Sequence, residues 1–252
     1  MYFIIELRKR NPVLFWYSVL NFISAVICIV LIQTTDLRVN GINAFIKPFK
    51  FFVSIGIFCV TMGWLMHHLA MPSKVRAFNV MAVIVFAYES IVITWQAANG
   101  RLSHFNTSSF FYLMLYQVMG VAIVVLTIWT GYIGYLFFRK KDWSIPMPYV
   151  WGIRLGIAFF VLFALEGGIM GSLFRHTIGG NDSGKGLPLV NWNRGHGDLR
   201  VAHFFGMHTL QLFPLFGYYL AKTKKSVIVF ATIYVTVVFA VLVQALMGLP
   251  LF

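Results

Sequence analysis

The chain has seven acidic side chains and seven histidines, and those with the greatest chemical promise lie inside or beside long apolar runs. Glu89 and Glu166 each interrupt such a run. His203, His208 and Gln211 share another. Lys47, Lys50 and Ser54 recur at helical spacing near the start of a third, and Gln96 follows Glu89 at i+7. Ionisable groups at membrane depth are costly and therefore default to function. With a rise of 1.5 Å per residue, Glu89 and Glu166 lie roughly 13 Å below the nearer helix ends. His208 lies roughly 15 Å below Asp198, and His203 roughly 8 Å. Gln117 falls near the same level. These residues outline a polar layer in one half of a bilayer. Glu89 or Glu166 would act there as general base or ligand support, and His203 and His208 as metal ligands or acid–base groups. Lys50, Gln96, Arg200 and Gln211 would contact substrate, with Lys50 or Arg200 on an anionic head group.

Imidazole and carboxylate ligands suit zinc, and a catalytic zinc needs three protein ligands plus water. His104, His196, Asp198, His203 and His208 are the candidate ligands for zinc or another divalent metal. His203 and His208 are five residues apart, about 140° around a helix, and so do not share the single face that i, i+4 spacing gives. His67 and His68 read as interface residues at the far end of their span.

Of all residues 60% are hydrophobic and 11% charged, and the mean hydropathy is +0.81. This excludes a soluble enzyme, a disordered tail and a nucleic-acid-binding domain. Seven stretches are long enough to cross a bilayer as helices: 12–33, 43–69, 75–98, 108–138, 148–174, 198–221 and 226–248. The fold expected is an all-α bundle of seven transmembrane helices in one domain, with no internal repeat. The net charge of +13 reads mainly as topology. Arg8, Lys9, Arg10, Lys74, Arg76, Arg139, Lys140, Lys141, Lys222, Lys224 and Lys225 fall on one side, against Glu6 and Asp142. That side is the cytoplasm by the positive-inside rule, which puts the N-terminus in and the C-terminus out. The opposite loops, 34–42, 99–107 and 175–197, carry the mixed polar set expected of a functional face. Cys28 and Cys59 lie in apolar runs and read as packing residues.

Three features mislead. Gly179–Gly186 nearly matches a phosphate-binding loop, but Gly186 stands where the magnesium-binding hydroxyl belongs and no strand precedes it. Asn106-Thr107-Ser108 and Asn181-Asp182-Ser183 are glycosylation sequons that matter only in a eukaryotic secretory pathway. The seventh span has no lysine for a retinal Schiff base.

Gly41-Ile42-Asn43-Ala44-Phe45-Ile46-Lys47-Pro48-Phe49-Lys50, Gln96 through Asn106, Glu166-Gly167-Gly168 and Gly197 through Pro214 together resemble a group of uncharacterised bacterial multi-pass membrane proteins. The resemblance covers most of the chain. It implies a bacterial inner-membrane location and no particular activity. Ser103-His104 with His203 and His208 also resembles the site of the seven-span hydrolases that include alkaline ceramidases and adiponectin receptors, which implies zinc amidase chemistry. The spacing here is HxxxxH, in the sixth span rather than the last, and the serine sits in a loop.

The expected function is a membrane-embedded enzyme, a metal-dependent hydrolase of a lipid or small amphiphile, with its site open to the extracytoplasmic side. A proton-coupled transporter or sensor would use the same polar layer. A haem or quinone redox protein ranks third.

Overall fold

A computed structural model describes residues 2–182 and 186–251. Ser183 of the second sequon and Lys185 of the phosphate-loop decoy lie outside the described residues. The chain divides into two compact units, Met1–Leu126 and Thr127–Phe252. Among the described residues six helices are long and apolar enough to cross a membrane: Pro12–Thr34, Ile46–Leu69, Pro72–Ala98, Phe110–Arg139, Met147–Leu173 and Lys224–Leu246. The architecture is all-α, apart from two short β ladders, and it is that of an integral membrane protein. Apolar side chains such as Trp16, Leu20, Ile23, Val26 and Ile27 stay exposed along the second helix, as a lipid-facing surface requires.

In the first unit the basic stretch ahead of the first span is itself a helix, α1 (Tyr2–Arg10), which the sequence reading leaves as a plain segment. It buries Leu7 and sets Phe3 against Trp64 at 4.7 Å. α2 (Pro12–Thr34) starts at once, because Asn11 accepts from the Leu14 N–H and Pro12 pre-sets the first helical φ. Asn11 and Asn79 exchange two hydrogen bonds, of 3.1 and 2.9 Å, which fasten α2 to α4 (Pro72–Ala98). Between α2 and α3 (Ile46–Leu65), strands β1 (Arg38–Val39) and β2 (Ile42–Asn43) pair through a tight turn at Asn40 and Gly41, both at positive φ. A 3₁₀ turn, Met66–Leu69, ends the α3 span. The boundary between the units falls within α5 (Phe110–Arg139).

In the second unit α6 (Met147–Leu173) packs against α7 (Leu199–Met207), α8 (Thr209–Tyr219) and α9 (Lys224–Leu246). Their core joins Phe163, Leu199, Ala202, Phe213, Ala231, Val235, Val238 and Leu242. Backbone meets backbone where α6 crosses α8. A Cβ on Gly152 would collide with the Phe213 carbonyl oxygen, and one on Gly156 would lie 2.8 Å from that of Thr209. Small residues permit such approaches between membrane helices. β3 (Thr177–Ile178) pairs with β4 (Gly197–Asp198) and closes the long loop between α6 and α7, so that, against the sequence expectation, a two-residue strand does precede Gly179.

The stretch 198–221, read as one span, is interrupted at His208, where α7 gives way to α8. The Thr209 hydroxyl turns back to the Gly206 carbonyl at 2.7 Å and also reaches the Gly156 carbonyl at 3.2 Å. Such back-bonding bends helices. Pro214 then offers no N–H to the Leu210 carbonyl.

Candidate functional site

The second unit brings Glu166 and His203 together. Glu166 projects from α6 and His203 from α7, and Oε2 of Glu166 lies 3.2 Å from Nδ1 of His203. Glycine at 167 is what lets the ring lie there: a Cβ at that position would sit 2.7 Å from the ring's Cε1. The second carboxyl oxygen, Oε1, is buried and has no hydrogen-bond partner among the described residues. A carboxyl that holds one imidazole nitrogen fixes the ring's orientation and leaves the other nitrogen for a proton in transit. His208, at the helix interruption, instead meets Gln211, Nδ1 to Oε1 at 3.2 Å, and its ring packs on Phe204 at 4.3 Å.

Asp198 and Arg200 form a brace. Asp198 is buried and caps α7 by accepting from the Arg200 backbone N–H at 3.0 Å. The same carboxylate accepts from the Arg200 side chain at 2.9 Å and from the Asn193 N–H at 2.8 Å. Burial pushes its carboxyl up, but the Arg200 hydrogen bond and charge, with the Asn193 N–H, outweigh this and hold it below the usual carboxylate range. Arg200 also donates to the Asn191 carbonyl at 2.6 Å, which ties the loop to α7. Above the brace lies a polar cleft of 380 Å³, lined among others by His176, Asp182, Asn193, Arg194, His196 and Arg200. Asp182 accepts from the His176 and Thr177 N–H groups and sits 3.2 Å from the His176 ring.

The first unit carries a polar set of its own. Lys47 on α3 lies within electrostatic reach of both Glu89 on α4 and His104 in the following loop. His104 is set among Phe51, Phe105 and Tyr116, with Nδ1 3.2 Å from the Ser103 hydroxyl. Burial, and then the Lys47 charge, hold its pKa well below the usual histidine range. The C-terminal half of α4 also concentrates buried polar atoms without hydrogen-bond partners among the described residues: Oε1 of Glu89, Oγ1 of Thr94 and both amide atoms of Gln96, with the Ser90 hydroxyl facing that of Tyr17. Each would cost about 1–3 kcal/mol if left dry. Lys50 is half-buried, whereas Gln117 is exposed on α5.

The candidate metal ligands are thus dispersed. His104 belongs to the first unit and the other four to the second. Asp198 has both oxygens engaged by N–H donors and acts as a cap. His203 and His208 bond different partners, and His196 is exposed. Among the described residues no three His, Cys, Asp or Glu side chains are grouped to hold a metal ion.

Three residues escape the sequence reading. Ser90 and Thr94 look like ordinary small residues of an apolar helix. Arg154 should have drawn notice as an arginine inside a span. It is buried, donates to the Phe137 carbonyl at 2.9 Å and the Lys140 carbonyl at 3.2 Å, and faces Phe138, Trp143 and Trp151. It thereby satisfies the end of α5, a structural role.

No family model, curated protein or solved structure matches the chain.

Proposed function

We propose that the protein is a membrane-embedded acid–base enzyme that hydrolyses a lipid or small amphiphile at the Glu166–His203 pair. The carrying observation is that pair, 3.2 Å apart, with one Glu166 oxygen buried and unpartnered. In this reading His203 takes a proton from water as the water oxygen bonds to the substrate carbonyl carbon. It returns that proton to the leaving group as the old bond breaks, and Glu166 holds the ring throughout. Acid–base chemistry comes from the pair itself, so no step passes through zinc or another divalent metal.

The chain in this reading crosses the bacterial inner membrane seven times. α7 and α8 form one interrupted span from 199 to 219, about 30 Å of helix, which matches a bilayer core. The charge asymmetry supports an N-terminus inside and a polar cleft outside. The cleft, with Arg194 and Arg200 on its wall, fits an anionic head group.

Protein reconstituted in defined phospholipid vesicles, followed by mass spectrometry, tests the proposal. Wild type should release a hydrolysis product, and Glu166→Gln and His203→Gln should each lose about a hundredfold or more of that rate. One observation favours a proton-coupled carrier as the second reading: interrupted helices commonly hold transporter binding sites. Undiminished product release by both variants would refute the hydrolase. Absence of any product, together with solute uptake driven by a pH gradient, would replace it with the carrier.

A further inference from the structure

Hydroxyls in the apolar helices of this protein normally turn back onto their own backbone. Ser18 bonds the Phe15 carbonyl at 2.7 Å, Thr61 that of Ile57 at 2.8 Å, Ser172 that of Ile169 at 2.9 Å and Thr209 that of Gly206 at 2.7 Å. Thr94 does not, although it sits in the same kind of helix, and its oxygen is buried without a hydrogen-bond partner among the described residues, whereas the Ser90 hydroxyl faces that of Tyr17 on α2. Gln96, 1% exposed, leaves both amide atoms unpaired, and Glu89, 4% exposed, leaves Oε1 unpaired. Four such atoms, one each on Glu89 and Thr94 and two on Gln96, therefore lie between positions 89 and 96 of α4, a stretch of roughly 10 Å.

Their arrangement is directional. Glu89 and Gln96 fall on one line of the helix, and Ser90 and Thr94 on a second line roughly 120° round from it, so together they span nearly half of its circumference. The upper end of the arc meets a polar loop. There the Arg101 N–H closes on the Gln96 carbonyl at 2.9 Å, and Ser103 and Asn106 are buried. The lower end is Glu89. Buried polar atoms that do not bond protein are satisfied by water, and carboxyl and hydroxyl chains in membranes mark proton relays.

We propose that the C-terminal half of α4 lines a water-filled path leading from the 99–106 loop to Glu89, with water and the protons it carries as its occupants. The path lies wholly in the first unit and does not depend on the chemistry of the Glu166–His203 pair.

Thiol accessibility tests it in the full-length protein in native membranes, with Cys28 and Cys59 replaced by alanine. Single cysteines at Ser90 and Thr94 are near-isosteric, and Gln96→Cys adds a third position. Ile91→Cys, 67% exposed on the helix flank, and Ala82→Cys, fully buried, are the dry controls. A membrane-impermeant methanethiosulfonate is presented to each membrane face in turn. Cysteines at 90, 94 and 96 should react at least about tenfold faster than the controls, from the face bearing the 99–106 loop only, and fastest at 96. Reaction at 90 and 94 as slow as at 82 and 91 from both faces overturns the proposal. So does reaction from the opposite face alone.

Discussion

Replacing Gly167 by alanine should change sign in its effect on stability according to what stands at position 203. In an ordinary helix interior the change gains about 1 kcal/mol. Here the new Cβ would lie 2.7 Å from Cε1 of His203. The ring would have to retreat by about 0.7 Å to reach even a tight contact of 3.4 Å. Its bond to Glu166 is already 3.2 Å long and would not survive that shift. Loss of such a part-buried hydrogen bond, with a carboxyl oxygen left unpaired, costs about 1–3 kcal/mol. Gly167→Ala should therefore be neutral to destabilising by about 2 kcal/mol in wild type, yet stabilising by up to about 1 kcal/mol in a His203→Ala background. Reversible unfolding in detergent micelles, followed by tryptophan fluorescence for the four proteins of this cycle, gives the coupling directly. If Gly167→Ala stabilises both backgrounds equally, the ring does not lie against α6 and the pairing argument fails.

Other expectations follow from the brace, the loop histidine and the charge pattern. Asp198→Asn should destabilise by about 1–3 kcal/mol, since the amide oxygen still caps α7 but the part-exposed Arg200 guanidinium loses its charged acceptor and keeps only the Asn191 carbonyl; thermal melts and limited proteolysis at 186–196 would show it, and an unchanged melt would contradict it. Because the folded Asp198 carboxyl is held below its ordinary value of about 3.9, its stabilisation is complete above that pH and should fade as pH drops further. His104 should stay neutral in the folded state well below pH 6.5, so stability falls as pH drops below that point and the unfolded chain takes up the proton alone. Lys47→Gln should raise the pH at which His104 titrates by ring NMR, and no movement would disprove the electrostatic link. Reporter fusions after Lys141 and Lys225 should report the cytoplasm and one after Arg194 the exterior; an exterior signal at Lys225 would reject the seven-span topology.

Span positions are legible in this sequence because lipid imposes one requirement, some twenty apolar residues per helix, that composition alone reveals. α2, α4, α6 and α9 begin and end within three residues of their expected limits. The interruption at His208 was less legible, since it arises when the Thr209 hydroxyl finds the Gly156 carbonyl on another helix. α1 is not legible in the sequence because nine residues are too few to register as a span. At the site, Glu166 and His203 stood out by type, but their pairing depends on Gly167, whose lack of a side chain carries no chemical signal. Asp198 looked like a ligand because a carboxylate beside histidines suits metal; only the backbone geometry shows that Arg200 and Asn193 occupy it. The silent hydroxyl of Thr94 differs from that of an ordinary helical threonine only in what it fails to bond.

The central claim, that the Glu166–His203 pair directs water onto an amphiphile, is tested most directly by the origin of one oxygen atom. Reconstituted protein turning over vesicle lipid in ¹⁸O-labelled water should release a product carrying a single ¹⁸O in its new carboxyl or hydroxyl group, and Glu166→Gln and His203→Gln should release almost none. Unlabelled product, or labelled product formed equally by both variants, would contradict the account.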